Sequence, residues 1–211
     1  MSQREWLLDI RGSNVVVLGI VNGLVSEIDI VKKALDLHRP RALGVCLSAE
    51  EIGAMREWSR DGTGAPDYTE ADALYVREMS KYGEIRMPSP AVLYAITVSD
   101  ETGIPVYPLD IDDNEYSELY LKHVSPVSLF LGSLFRKSGR RSHVGGTVEE
   151  AVCALDRLEM RPKSLAFVEK ERERSIAANI RERSPDHSPF MALVTYERVK
   201  GVLESLNSSN R

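Results

Sequence analysis

The chain is short of the residues that usually announce a site. Its 211 residues include two cysteines and four histidines. Two cysteines cannot build the disulfide framework of a small secreted domain. Cys46 and Cys153 each fall inside an apolar-periodic stretch, far apart in sequence. They read as buried, reduced thiols, which fits a cytoplasmic location. His38, His123, His143 and His187 are isolated, with no two at helical or Cys-x-x-Cys-like spacing, so no metal-ligand set is legible. Neither Gly-x-x-x-x-Gly-Lys nor Gly-x-Gly-x-x-Gly occurs, so the phosphate cradles with recognised spacing are missing, and no motif asks for a cofactor. An excess of positive charge is also lacking. The net charge of −5 argues against a dedicated nucleic-acid binder. No apolar run approaches the roughly 18 residues of a membrane span. The first residues carry no signal-peptide core.

What is present is an ordinary globular composition, 43% hydrophobic and 28% charged, in a length that suits one substantial core. The chain reads as a single α/β domain over residues 1–211, one mixed sheet with helices on its faces. Its most informative stretch is residues 14–26. Residues 15–18 are a continuous β-branched and aliphatic run, the pattern of a strand buried on both faces. The run ends at Gly19 and Gly23, and Ser26-Glu-Ile-Asp29 resembles a capping box that opens a helix to about His38. In α/β proteins the carboxyl end of such a strand is where sites are built, and Asn22 is presented there.

The alternation continues along the chain. Strands are predicted over 42–47, 104–109 and 190–194, and helices over 48–58, 69–82, 88–101, 114–134, 147–160, 169–183 and from 194 to about Leu206. Pro105 and Pro108 put the 104–109 strand at a sheet edge or an irregular end. Residues 60–66 read as a loop from their turn chemistry, and residues 136–146 as a flexible basic loop. Residues 207–211 read as a frayed tail. Residues 15–22 and 191–198 echo one another as an apolar strand, four turn residues and a helix. The echo admits a pseudo-twofold between the two ends of the chain, with both units facing one cleft.

The order of these segments resembles the TraB/PrgY family, related to the Tiki proteases and, more distantly, to erythromycin esterase-like and ChaN-like proteins. The family opens with a strand and a Gly-x-x-His turn, matched here by Gly19-Ile-Val-Asn22. Its Arg-Pro-x-x-Val-x-Val-Glu-Leu segment is matched by Arg39-Pro-Arg-Ala-Leu-Gly-Val-Cys-Leu47. A Gly-Ile-Pro-Val strand that ends in Asp-Arg-Asp corresponds to residues 103–112, ending Asp110-Ile111-Asp112. Glu-Arg-Asp-x-x-Met-Ala is similar to Glu171-Arg-Glu-Arg-Ser-Ile-Ala177, and Gly-x-x-His-Val-x-Gly to Thr195-Tyr-Glu-Arg198-Val-Lys-Gly201. The five segments span nearly the whole chain.

In the Tiki-like members two histidines and a glutamate hold a divalent metal and activate water. The resemblance places Asn22, Arg198 and Cys46 at those positions. An amide oxygen is a poor transition-metal ligand, a permanent guanidinium cation repels a metal, and one thiol does not make a site. The resemblance therefore implies a TraB-like domain that has lost metal-dependent hydrolysis and serves as a binding or regulatory module. A hydrolase with a remodelled site and a structural, oligomeric partner protein are the alternatives.

The candidate cleft is Asn22, Asp110, Glu171, Arg172 and Arg198, taking a small polar or anionic ligand or a protein partner. Each residue has a plainer reading beside it. Asn22 suits a turn, Arg198 a helix-face salt bridge, and Glu171 with Arg172 a solvated run of helix charge. Asp110, Asp112 and Asp113 suit a turn and a helix start. Arg136, Lys137, Arg140, Arg141 and His143 suit binding of phosphate or a nucleic-acid backbone, or a solvated loop. Apolar residues 129–131 and 134–135 are the candidate contact of a homodimer.

Overall fold

The computed structural model describes residues 4–62, 70–125 and 146–208. The loop residues 63–66, the apolar segments 129–131 and 134–135, and the basic residues between Arg136 and His143 lie outside them.

The architecture is α/β, with helices on both faces of one five-stranded mixed sheet. In chain order the strands are β1 (Glu5–Ile10), β2 (Ser13–Ile20), β3 (Ala42–Val45), β4 (Val106–Pro108) and β5 (Phe190–Thr195). The helices are α1 (Glu27–His38), α2 (Ala49–Asp61), α3 (Glu70–Met79), α4 (Pro90–Thr102), α5 (Asp113–His123), α6 (Val148–Glu159), α7 (Lys163–Arg183) and α8 (Tyr196–Ser208). The spatial order of the strands is β1-β2-β5-β3-β4. Only the β1–β2 pair is antiparallel; β2, β5, β3 and β4 run parallel.

The central strands are apolar because both of their faces are covered. Val16, Leu18 and Ile20 of β2 meet α1, α2 and α4 on one face. Val15 and Val17 meet α7 and α8 on the other. Phe190 to Val194 of β5 divide between the faces in the same way, as the two-residue period of a strand requires. A third cluster, built on Val21, Leu24, Met79, Val152 and Leu155, packs α3 and α6 against the turn that follows β2.

Several elements differ from the sequence reading. The sequence pattern predicts no element over residues 5–10, where the structure has the hairpin strand β1. It pairs through a two-residue turn at Arg11 and Gly12, whose φ angles of 55° and 83° are those of a type I′ turn. The strand is short and its turn lacks the familiar Asn-Gly signal, so only the Trp6, Leu8, Ile10 alternation marks it. Ser26 makes no capping bond, and the Ser26–Asp29 box does not form. Its neighbour Glu27 turns inward instead. The capping boxes at Ser48–Glu51 and Thr147–Glu150 do form. Residues 163–183 are one helix, because Val168 and Ile176 share its buried side. The last helix continues through Ser208, whose hydroxyl donates to the Glu204 carbonyl at 2.7 Å.

β4 lies at the sheet edge, where the missing N–H groups of Pro105 and Pro108 are tolerated. Beside it, β3 carries Gly44 at a close approach. A Cβ at Gly44 would lie 2.7–2.9 Å from the buried side chain of Leu109. Leu109 immediately precedes Asp110, so this packing sets where the Asp110 carboxylate is delivered. Gly44→Ala is expected to cost about 1–3 kcal/mol through overpacking, read as a lower denaturant midpoint with an unchanged slope.

The echo between the ends has a structural counterpart. β2 and β5 are parallel neighbours, with Val15 opposite Phe190 and Ile20 opposite Thr195. The helix after β2 covers one face, and the helix after β5 covers the other. A twofold along the strands relates such units, although β5 runs from Thr195 straight into α8 at Tyr196, without the four turn residues that the sequence echo expects there.

Candidate functional site

β2, β5, β3 and β4 all point their carboxyl ends to one edge of the sheet, and a cavity of about 550 Å³ opens there. Ile20 and Asn22 reach it from β2, and Cys46 and Leu47 from β3. Asp110 reaches it from beyond β4, and Thr195, Glu197 and Arg198 from the junction of β5 and α8. Helix α2 adds Glu51, Met55 and Trp58, and α7 adds Glu169 and Arg172. Asn22, Asp110, Arg172 and Arg198 thus line one cavity although they span 176 positions of the chain, 198 − 22. Glu171 does not line it. Its carboxylate pairs with Arg174 along α7. Residues 169, 172 and 176 share the helix side that faces the cavity, and the 3.6-residue period turns residue 171 away. Of the acidic strand end only Asp110 enters the site, since Asp112 caps α5 by accepting from the Glu115 N–H at 2.8 Å.

The two arginines are held by carboxylates. Arg172 donates its Nη2 to Asp110 at 2.6 Å and its Nε to the other Asp110 oxygen at 3.2 Å, a bidentate pair. Its Nη1 donates to Glu169 at 3.0 Å. Burial opposes the Arg172 charge, but hydrogen bonds and charge from Asp110 and Glu169 outweigh it and keep the guanidinium cationic. Arg198 pairs with Asp156 and lies 3.3 Å from Glu169 and 3.6 Å from Glu173. Glu169 therefore bridges both guanidiniums. Glu173 reaches Arg198 because position 201 is glycine, as any Cβ there would collide with the Glu173 carboxylate. The salt-bridge reading of Arg198 thus holds within the cavity wall itself.

Glu197 stands apart from this network. Its Oε2 is buried and has no hydrogen-bond partner among the described residues. Burial pushes its carboxyl up to about 7, while its own backbone N–H, the Arg198 charge and Thr195 pull the other way. A carboxyl so placed changes charge in the neutral range, which is uncommon for glutamate. The sequence pattern does not single it out. An acid in the first turn of a helix ordinarily serves the helix dipole, and that is how its position reads locally. The available signal was an acid two residues past a fully buried strand, at the end of the sheet where sites are built.

Asn22 is half-buried at the cavity wall, and its backbone carbonyl accepts from the Tyr75 hydroxyl at 2.8 Å. Burial pushes the Cys46 thiol far above its ordinary range, and the nearby Asp110 charge adds to this. A thiol held protonated is neither a nucleophile nor a metal ligand. Cys46 and Cys153 are both free. Among the described residues no group of three His, Cys, Asp or Glu side chains converges as a metal site. No described helix is long and apolar enough to cross a membrane.

No known family matches the chain, and no curated protein matches its sequence.

Proposed function

We propose that this chain is a divergent TraB-like domain that binds a small molecule at the carboxyl end of its sheet, as a cytoplasmic binding or regulatory module. The observation that carries the reading is the fate of the three positions where the resemblance expects metal chemistry. Arg198 is locked among Asp156, Glu169 and Glu173, Cys46 stays protonated, and Asn22 offers only an amide. Their shared cavity nevertheless persists, at a volume within the roughly 300–1,000 Å³ of small-molecule sites.

One observation favours a second reading, a hydrolase with a remodelled site. Glu197 titrates near neutrality inside the cavity, where a general base would be tuned. One screen separates the two. The protein is assayed on peptide and ester substrates with manganese, cobalt and zinc, in parallel with thermal-shift binding of a small-molecule set. The expected result is saturable thermal stabilisation by a subset of compounds and no turnover. Metal binding below micromolar that switches on hydrolysis overturns the binding-module reading. Metal-independent turnover abolished by Glu197→Gln transfers it to the remodelled hydrolase.

A further inference from the structure

The cavity's charge is not what a site for anions requires. Among the described residues it is lined by six acids, Glu51, Asp72, Asp110, Glu159, Glu169 and Glu197, against two arginines. Both arginines already pair with carboxylates, which offsets the positive charge that either could present to an incoming anion. The buried Oε2 of Glu197 has no donor, and a buried acceptor without one carries an unrelieved desolvation cost. The remaining lining is largely apolar and soft, with Met55, Trp58, Met87 and Met160, beside the polar Asn22, Ser89 and Thr195.

We propose that the cavity takes a small organic cation, an alkyl- or arylalkylammonium with an apolar body, and that Glu197 Oε2 accepts the ammonium N–H. The proposal rests on the binding-module reading and names the ligand class of that same site. An ammonium supplies both a donor for the unpartnered Glu197 Oε2 and the positive charge that the surplus of carboxylates favours. Its apolar body lies against the thioethers and the indole. A bare divalent ion fits less well, because the six acids are dispersed and no three converge as ligands.

Binding of a cation there is coupled to a proton. Glu197 is faced by Arg198 on its own helix, by Cys153 and Asp156 from α6, by Tyr75 from α3 and by Cys46 beyond β3. Arg198 is the one cation of that set, and three other carboxylates share it. An ammonium therefore binds the ionised form of Glu197, and below neutrality it must displace the carboxyl proton.

Titration calorimetry on the full chain tests this with phenethylamine, tryptamine and cadaverine as probes. Phenethyl alcohol and 3-phenylpropionate are the neutral and anionic counterparts of the first. At least one ammonium probe is expected to bind ten times or more tightly than the alcohol and the carboxylate. Its affinity should rise about tenfold from pH 6 to pH 8, as Glu197 passes from mostly protonated to mostly ionised. Buffers of different ionisation heat should show close to one proton released at pH 6 and none at pH 8.5. Glu197→Gln should lose the preference and the proton release together while retaining its thermal unfolding transition. Tighter binding of the alcohol, the carboxylate or a divalent metal overturns the cation assignment while leaving a ligand-binding cavity in place. So does ammonium binding with no proton release. Binding by none of the probes overturns the cation assignment too, and saturable thermal stabilisation by other compounds then decides whether the binding-module reading survives.

Discussion

Glu27→Ala is expected to cost 3–5 kcal/mol, the range for removing one partner of a buried ion pair. Glu27 is almost wholly buried, and its Oε1 accepts from Arg4 Nη1 at 2.6 Å. Its Oε2 accepts from the Val21 N–H at 3.1 Å. Arg4 also donates to Glu149 at 2.7 Å, and its carbonyl accepts from the Gly19 N–H at 2.9 Å. This knot joins the residue before β1, the end of β2, the first turn of α1 and the first turn of α6. The alanine variant takes a buried carboxylate partner from Arg4 and strands the Val21 N–H.

Chemical denaturation measures the loss, and a double variant identifies its cause. Arg4→Met with Glu27→Met together should recover most of the stability, because an apolar pair carries no buried charge. A Glu27→Ala cost below 1 kcal/mol would show that the knot does not hold these ends. Val21 leads directly into Asn22, so Glu27 also fixes the turn that presents one wall of the cavity.

Glu197→Gln is expected to be more stable than the parent at pH 8 by about 3 kcal/mol, with the gain disappearing towards pH 4.5. The free glutamate ionises near 4.5 and the folded one near about 7. Below the lower value both states are protonated, and burial of the carboxyl carries no ionisation cost. Between the two values the unfolded chain has lost its proton and the native chain has kept it, so native stability falls as pH rises. Above 7 the full cost is present. Glutamine cannot ionise and escapes it. Thermal unfolding between pH 4.5 and pH 8.5 should show the two proteins diverging with pH, by roughly 5–10 °C at the upper end for a domain of this size. A constant offset across the range would mean that Glu197 does not titrate as its surroundings dictate. A bound ammonium would offset the same ionisation cost, which ties this measurement to the ligand proposal.

Much of the scaffold was legible from local pattern. The runs at residues 15–18 and 190–194 mark central strands because only full burial on both faces makes such runs stable. Ser48 and Thr147 open helices because their side chains satisfy orphan N–H groups within three residues. Pro105 and Pro108 mark an edge because they lack ladder donors. Ser26 failed by the same logic. Its local signal was good, but the Ser26 side chain makes no capping bond, and the neighbouring Glu27 is buried on Arg4, 23 positions away in the chain.

The candidate cleft was legible in part. Asn22 sits where strand ends build sites, Asp110, Arg172 and Arg198 follow from the family resemblance, and the four line one cavity. Glu171 was chosen by motif, and helical phase sends it elsewhere. Glu197, Glu169 and Glu173 were passed over because nothing in their local sequence separates them from ordinary helix charges.

By itself the sequence determined an α/β sheet, the order of its main elements and the edge at which a cavity would open. These follow from periodicity, capping and proline chemistry, which act over a few residues. Only the tertiary structure decided what that cavity can bind. Arg172 meets Asp110 across 62 positions, and Arg198 meets Asp156 across 42. Those pairings hold both guanidiniums on carboxylates, while Glu197 Oε2 stays buried with no hydrogen-bond partner among the described residues. The energy of a buried charge depends on partners within a few ångströms, and folding alone brings residues so distant in the chain that close.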